Sequence, residues 1–265
     1  MLKEIIKITL KGAVRDRVLH SLLVTALLMV LLTPVLSLFS MRQVRELSIT
    51  LSLSMMSFVL LILATLMGAS AIWRDVEKRY TATLLGLPLP RAIYLCGRFV
   101  GLALFLLMTG VLLGSMVCMV VAICRGEMSS ALNFSWFNLL IAITGDVLKY
   151  ILLAAVAFVF SALSTSFFLP IFGTIAVYLA GTASQEVLEY LATEAGRQLP
   201  ALLRVATQFF CYLLPNFAVF DFKVQAIYGL TIPVKGLLYA AIYFVVYTGI
   251  LLVLAVKVFD RRELQ

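Results

Sequence analysis

The sequence predicts an all-α integral membrane protein with six transmembrane helices. Three observations lead there. The 265 residues are 63% hydrophobic and only 13% charged, with a mean hydropathy of +1.09, whereas a soluble domain is about half apolar and a quarter charged. The apolar residues fall into runs close to the roughly 20 residues that cross the hydrocarbon of a bilayer. The charges gather at the ends of those runs. A chain of this length accommodates about six spans and leaves no room for a separate soluble domain, so residues 1–265 read as a single transmembrane domain.

Taken in order, residues 2–17 place Lys3, Lys7, Lys11 and Arg15 at four-residue spacing, opposite Leu2, Ile5, Ile6, Leu10, Ala13 and Val14. This is the pattern of an amphipathic helix lying at a membrane interface. The first apolar run follows it and is long enough to span, so it does not read as a cleaved signal. The spans are expected at 18–40, 51–73, 97–124, 137–165, 167–183 and 236–258. Residues 184–235 stand apart. Their first half spaces Val187, Leu188, Leu191, Ala195 and Leu199 as a helical stripe opposite Glu186, Glu189 and Glu194. The stretch ALLRVATQFFCYLLP that follows is apolar but short and carries Arg204, which reads as re-entrant or interfacial rather than spanning.

Basic residues orient the chain. With the N-terminus inside, the cytoplasmic side holds Lys3, Lys7, Lys11, Arg15, Arg17, Arg74, Lys78, Arg79, Arg91, Arg98, Lys257, Arg261 and Arg262. The other side holds Arg42, Arg45, Arg125, Arg197, Arg204, Lys223 and Lys235. The excess puts both termini in the cytoplasm, in a cell inner membrane, with 184–235 facing out. The net charge of +8 is spent on this orientation and on anionic lipid, not on nucleic acid. Cys96, Cys118, Cys124 and Cys211 form no C-x-x-C pair and say nothing about redox compartment.

Enzyme chemistry finds no support in the motifs. The single histidine, His20, begins the first span, and neither H-E-x-x-H nor G-x-S-x-G occurs. No catalytic residue and no metal ligand set is expected. Asp146 and Lys149 lie one turn apart inside the fourth span. Charges at that depth face protein, water or each other. They are either a polar contact on a transport path or an ion pair within the helix that stabilises packing.

The segment 74–96 concentrates charge that the rest of the chain avoids. Residues from Asp75 to Leu85 can form about three helical turns that Gly86 ends. Pro88 and Pro90 then break the chain before a new helix near Arg91. Leu84, Leu85 and Tyr80 offer an apolar knob among Glu77, Lys78 and Arg79, the makings of a small, separable interface with a soluble partner.

These residues resemble the permease subunits of type-2 (ABC-2) ATP-binding-cassette exporters, in their compact six-span branch. In that family the segment after the second span reads roughly acid, Arg, Gly-Thr, Leu-Leu, two residues, Pro, Ser-Arg, then Gly-Lys as the third span begins. This chain supplies Glu77, Arg79, Thr81, Leu84, Leu85, Pro88, Arg91, Gly97 and Arg98 in that order. It departs with Tyr80 where Gly is usual, Pro90 for Ser and Arg98 for Lys. The stretch YLLPNFAVFDF (212–222) looks like the Leu-Pro and aromatic stretch ahead of the family's last span, and the ending VFDRREL looks like its basic tail.

The resemblance implies a cytoplasmic coupling helix, formed around Asp75, Glu77, Lys78, Arg79, Tyr80, Thr81, Leu84, Leu85, Pro88 and Arg91, seated in a groove of a separate ATPase. It implies two such ATPase subunits, a second permease copy, and ATP and Mg bound by the partner, not by this chain. Consistent with that division, the chain has no G-x-x-x-x-G-K phosphate loop. The alternative is a secondary transporter driven by an ion gradient, with Asp146 as the proton or sodium site; it predicts repeated halves, which the sequence does not display.

Overall fold

A computed structural model describes residues 2–15, scattered positions between 20 and 35, and residues 44–77, 91–124, 134–164 and 166–261. Every regular element among them is a helix. That is the form expected where no water is at hand to satisfy an open backbone. In chain order they are α1 (Leu2–Arg15), α2 (Val44–Glu77), α3 (Arg91–Cys124), α4 (Trp136–Leu163), α5 (Phe168–Ala192), the single turn α6 (Glu194–Arg197), α7 (Ala201–Leu213), a 3-10 turn (Phe217–Phe220), α8 (Lys223–Tyr228) and α9 (Val234–Asp260).

Five described helices, α2, α3, α4, α5 and α9, are long and apolar enough to cross a membrane. A sixth candidate is the pair formed by α7 and residues 217–228, bent by 47° at its break. The expected first span, 18–40, lies largely outside the described residues; within it His20, Val24, Leu27, Leu28 and residues 32–35 are helical.

The helices divide by what surrounds them. α4 is the hub, packed against α2, α3, α5 and α9, with 83% of its apolar window buried against 11% for α9. Its sequence explains the difference. From Tyr150 to Val159 every residue is buried, and Ala154, Ala155 and Ala157 let neighbouring helices close in on several sides. Ser161 donates to the Ala69 carbonyl of α2 at 2.8 Å, so a hydroxyl ties the two helices where water is excluded. α9 instead presents Leu238, Ile242, Val245, Val246, Ile250 and Val253 outward, a surface suited to lipid.

α1 docks on α3 through Ile5, Thr9 and Ala13, all buried, and the Arg98 guanidinium donates to Thr9 Oγ1 at 3.3 Å. The amphipathic helix is therefore packed on its own bundle along one stripe. Ile8 and Val14 stay exposed beside Lys3, Lys7, Lys11 and Arg15, which leaves a basic and apolar face for the membrane interface.

Two helix ends differ from expectation for one reason. α5 runs on to Ala192 instead of stopping near 183, and α2 begins at Val44 instead of 51. In both places the sequence turns polar without a Gly or Pro to break the helix, so the change in polarity does not end it. Burial on α4 carries a testable consequence: Leu153→Ala, at a fully buried position, is expected to cost about 2–5 kcal/mol. Val245→Ala, on the exposed side of α9, is expected to leave the thermal midpoint of the purified chain almost unchanged, and a thermal unfolding series of both variants checks the contrast.

Candidate functional site

The polar groups of the interior converge where residues 213–230 fold back against the bundle. The segment is held along its whole length. At its start Tyr247 of α9 donates its hydroxyl to the Leu213 carbonyl at 2.8 Å, and the Asn216 N–H donates to the Tyr243 hydroxyl at 2.8 Å. Phe217 and Phe220 are fully buried anchors. At its end the Asn138 amide of α4 donates to the carbonyls of Gln225 at 3.1 Å and Leu230 at 2.8 Å. Gly229, at φ 64°, takes the left-handed turn that closes α8 and brings both carbonyls within reach of one side chain.

Two glycines set how closely the segment approaches. A Cβ on Gly145 of α4 would stand 2.6 Å from the Phe220 carbonyl oxygen, and one on Gly181 of α5 would collide with the carbonyl of Pro215. Any larger residue at either position would push the irregular backbone off the bundle. Such backbone is tolerated at membrane depth only where protein covers it.

Gly145 precedes the charge. Asp146, 1% exposed, lies ten residues into α4 from Trp136, about 15 Å along the helix. Its Oδ2 accepts the hydroxyl of Ser57 from α2 and faces the Lys223 ammonium of α8 at 3.8 Å. Lys223 is itself positioned by Asp221, whose Oδ1 accepts the Lys223 N–H at 3.2 Å. Lys149, 4% exposed, does not take the carboxylate. Its Nζ lies 5.7 Å from the ring centroid of Tyr150 and 5.5 Å from that of Tyr178 on α5, and the two tyrosine hydroxyls are 3.4 Å apart.

The ion pair expected within α4, Asp146 with Lys149, is thus replaced by one between elements. A short carboxylate on the α2 and α8 side of the helix meets the cation that the folded-back segment supplies, while the long lysine stem extends to the aromatic faces, which attract an ammonium in a low-dielectric setting. The sequence alone places Lys223 among the orienting charges and assigns no role to Ser57, Asn138 or Tyr178. The available signal was a lysine placed two residues after an aspartate inside an otherwise aromatic and apolar stretch, FDFKVQAIY. Of the other expected site residues, Asp75 and Glu77 lie on the last turn of α2, and Arg91 opens α3. Lys78, Arg79, Tyr80, Thr81, Leu84, Leu85 and Pro88 lie outside the described residues.

A bundle of membrane-length helices with a folded-back segment and buried charges defines a polytopic membrane protein. A family model described as an ABC-2 family transporter protein matches residues 4–264. The chain therefore belongs to the ABC-2 transporter family, and it is a membrane subunit of an ABC transporter. Membership implies a partner ABC ATPase through which ATP and Mg act. No curated protein matches the chain.

The role of Asn138 is directly measurable. Asn138→Leu removes both hydrogen bonds to the 225–230 backbone and leaves two carbonyls without their donor. It should raise amide exchange across 223–230 by about tenfold or more, in line with ~1–3 kcal/mol for buried polar groups left unsatisfied, while exchange in α3 stays unchanged.

Proposed function

We propose that this chain is the transmembrane subunit of an ATP-driven exporter that moves its substrate across or out of the inner membrane by alternating access. In this reading it is one permease domain of six spans, residues 18–40 forming the first. Both termini are cytoplasmic and residues 184–235 face outward. It works as a pair of permeases on two ATPase subunits.

The observation that carries the reading is the length of α2 and α3. Each has 34 residues, about 51 Å of helix against roughly 30 Å of hydrocarbon. α2 stays helical through Arg74, Asp75 and Glu77 beyond its apolar stretch Val44–Ile72, and α3 is already helical at Arg91, just ahead of its own, Ala92–Cys124. Helix rather than loop therefore leads into and out of the charged segment. A stiff lead-in is what a mechanical input requires, because a push on its tip moves the whole span. Family membership over residues 4–264, which implies a partner ABC ATPase, supports ATP hydrolysis outside residues 1–265.

The remaining steps follow from that input. ATP-driven closure of the two ATPases draws the paired coupling segments together, and the spans pass between two packings that open to opposite sides. Asp75, Glu77, Lys78, Arg79, Tyr80, Thr81, Leu84, Leu85, Pro88 and Arg91 make the ATPase contact. The second permease covers the first span and the region around 200–215. In support, α7 has no buried residue and exposes Leu202, Val205, Phe209, Phe210, Tyr212 and Leu213, an apolar face that no other part of the described chain covers.

Two experiments test this. Leu84→Asp with Leu85→Asp should leave the permease in the membrane and abolish ATPase co-purification and ATP-dependent transport together. Glu77→Lys should do much less, since exposed ion pairs contribute under about 1 kcal/mol; unchanged pull-down and transport in the double variant refute the coupling role. For orientation, a cysteine at Glu194 should react with an impermeant thiol reagent added to intact cells, and labelling only after lysis refutes the outward placement.

A further inference from the structure

Asp146 stands between two ammonium groups, and only one of them holds it. Lys223 reaches its Oδ2 at 3.8 Å from the folded-back segment. Lys149 follows three residues later on the same helix, with its Nζ over the rings of Tyr150 and Tyr178. Residues at i and i+3 are neighbours on a helix surface, so Lys149 can meet the carboxylate by side-chain rotation alone. Among the described residues Lys149 has no carboxylate within ion-pair distance, and Asp146 Oδ1 has no hydrogen-bond partner. Both halves of a second ion pair are present and unmade.

The segment itself keeps them apart. Phe217, fully buried, packs on Tyr178 with ring centroids 5.6 Å apart, and Tyr178 in turn carries Lys149. Six residues after Phe217, Lys223 occupies Asp146. One short stretch therefore claims the carboxylate and braces the ring on which the competing cation rests. If the segment leaves, both restraints go at once. Leaving a carboxylate unpaired in a low-dielectric interior is strongly unfavourable, so a segment pinned by a single possible partner would be pinned for good. A substitute cation one turn away removes that penalty.

We propose that Asp146 is the shared carboxylate of a two-position latch, paired with Lys223 while residues 213–230 are seated and with Lys149 when the segment swings off the bundle. Each position leaves the acid paired, which gives two discrete arrangements instead of one stable and one forbidden. The proposal rests on the exporter reading for the use of the motion only: the seated segment closes this end of the bundle, and its release opens it.

Ala226 on α8 is fully buried and reports the seating of the segment. An Ala226→Cys chain, embedded in lipid nanodiscs with a thiol reagent on both faces, is labelled above the parent chain's own four cysteines in proportion to the lifted population. Lys223→Gln is expected to raise that labelling rate about tenfold and Lys149→Gln to lower it about tenfold, each a shift of about 1.4 kcal/mol. Lys149→Arg, which keeps the cation, should stay near the parent rate. Opposite signs for two identical substitutions around one carboxylate are the signature of the latch, because a purely structural role loosens the segment in both. Changes of the same sign, no change at Lys149, or a Lys149→Gln chain that does not accumulate overturn the proposal. If the Lys223→Gln chain does not accumulate, the sign of the Lys149→Gln change decides alone. The measurement needs no ATP, ATPase or substrate, so its failure is separate from that of the exporter reading, which fails instead if the parent chain with its ATPase moves no substrate.

Discussion

A carboxylate buried in a membrane-spanning helix has no water to turn to, and its need for a partner organises the centre of this molecule. Asp146 is 1% exposed. Its charge must be met by side chains brought from elsewhere, because leaving a charge unpaired at that depth is strongly unfavourable. The partners come from two directions: Ser57 from α2 and Lys223 from α8. The second of these requires an irregular stretch of chain to enter the bundle. Once it enters, its own backbone must be satisfied, and Asn138, Tyr243 and Tyr247 do that. The polar side chains around residues 213–230 are the consequence of admitting one lysine.

The same constraint accounts for the small residues. Gly145 and Gly181 sit where the carbonyls of Phe220 and Pro215 press on α4 and α5. Neither lies in a turn; both are in the middle of long helices, where glycine weakens the helix by roughly 1 kcal/mol relative to alanine. That local cost is offset by close approach, which draws Phe217 and Phe220 into full burial and shortens the reach of Lys223. Helix propensity loses to packing at these two positions.

α2 links the charged segment to the buried centre. It carries Asp75 and Glu77 on its last turn and Ser57 twenty residues before Glu77, about 30 Å along one continuous helix. It is also bonded to α4 at Ser161, so displacement at its charged end is transmitted to α4 at two heights. Long helices move as rigid bodies more readily than they bend, and packed interfaces switch between discrete arrangements instead of deforming smoothly. A bundle with its central charge shared between a fixed helix and a folded-back segment is suited to that kind of change.

Composition, the spacing of apolar runs and the placement of charge were enough to determine the class of fold, the amphipathic first helix and the membership that the motif around Glu77–Arg98 carries. These are properties of transfer between water and hydrocarbon, which act on each segment separately and so can be read along the chain. The stretch 201–215 was legible as apolar but short for the same reason, and the helix it forms, Ala201–Leu213, has only 13 residues. Helix ends were less legible: α5 runs past the expected end near 183 because nothing in QEVLEYLA breaks a helix. The pairing of charges was not legible at all. Asp146 and Lys149 are three residues apart in sequence, whereas Asp146 and Lys223 are separated by most of two spans. Only the fold decides which ammonium meets the acid, because that choice depends on the direction in which each side chain leaves its helix and on which distant backbone is allowed to approach.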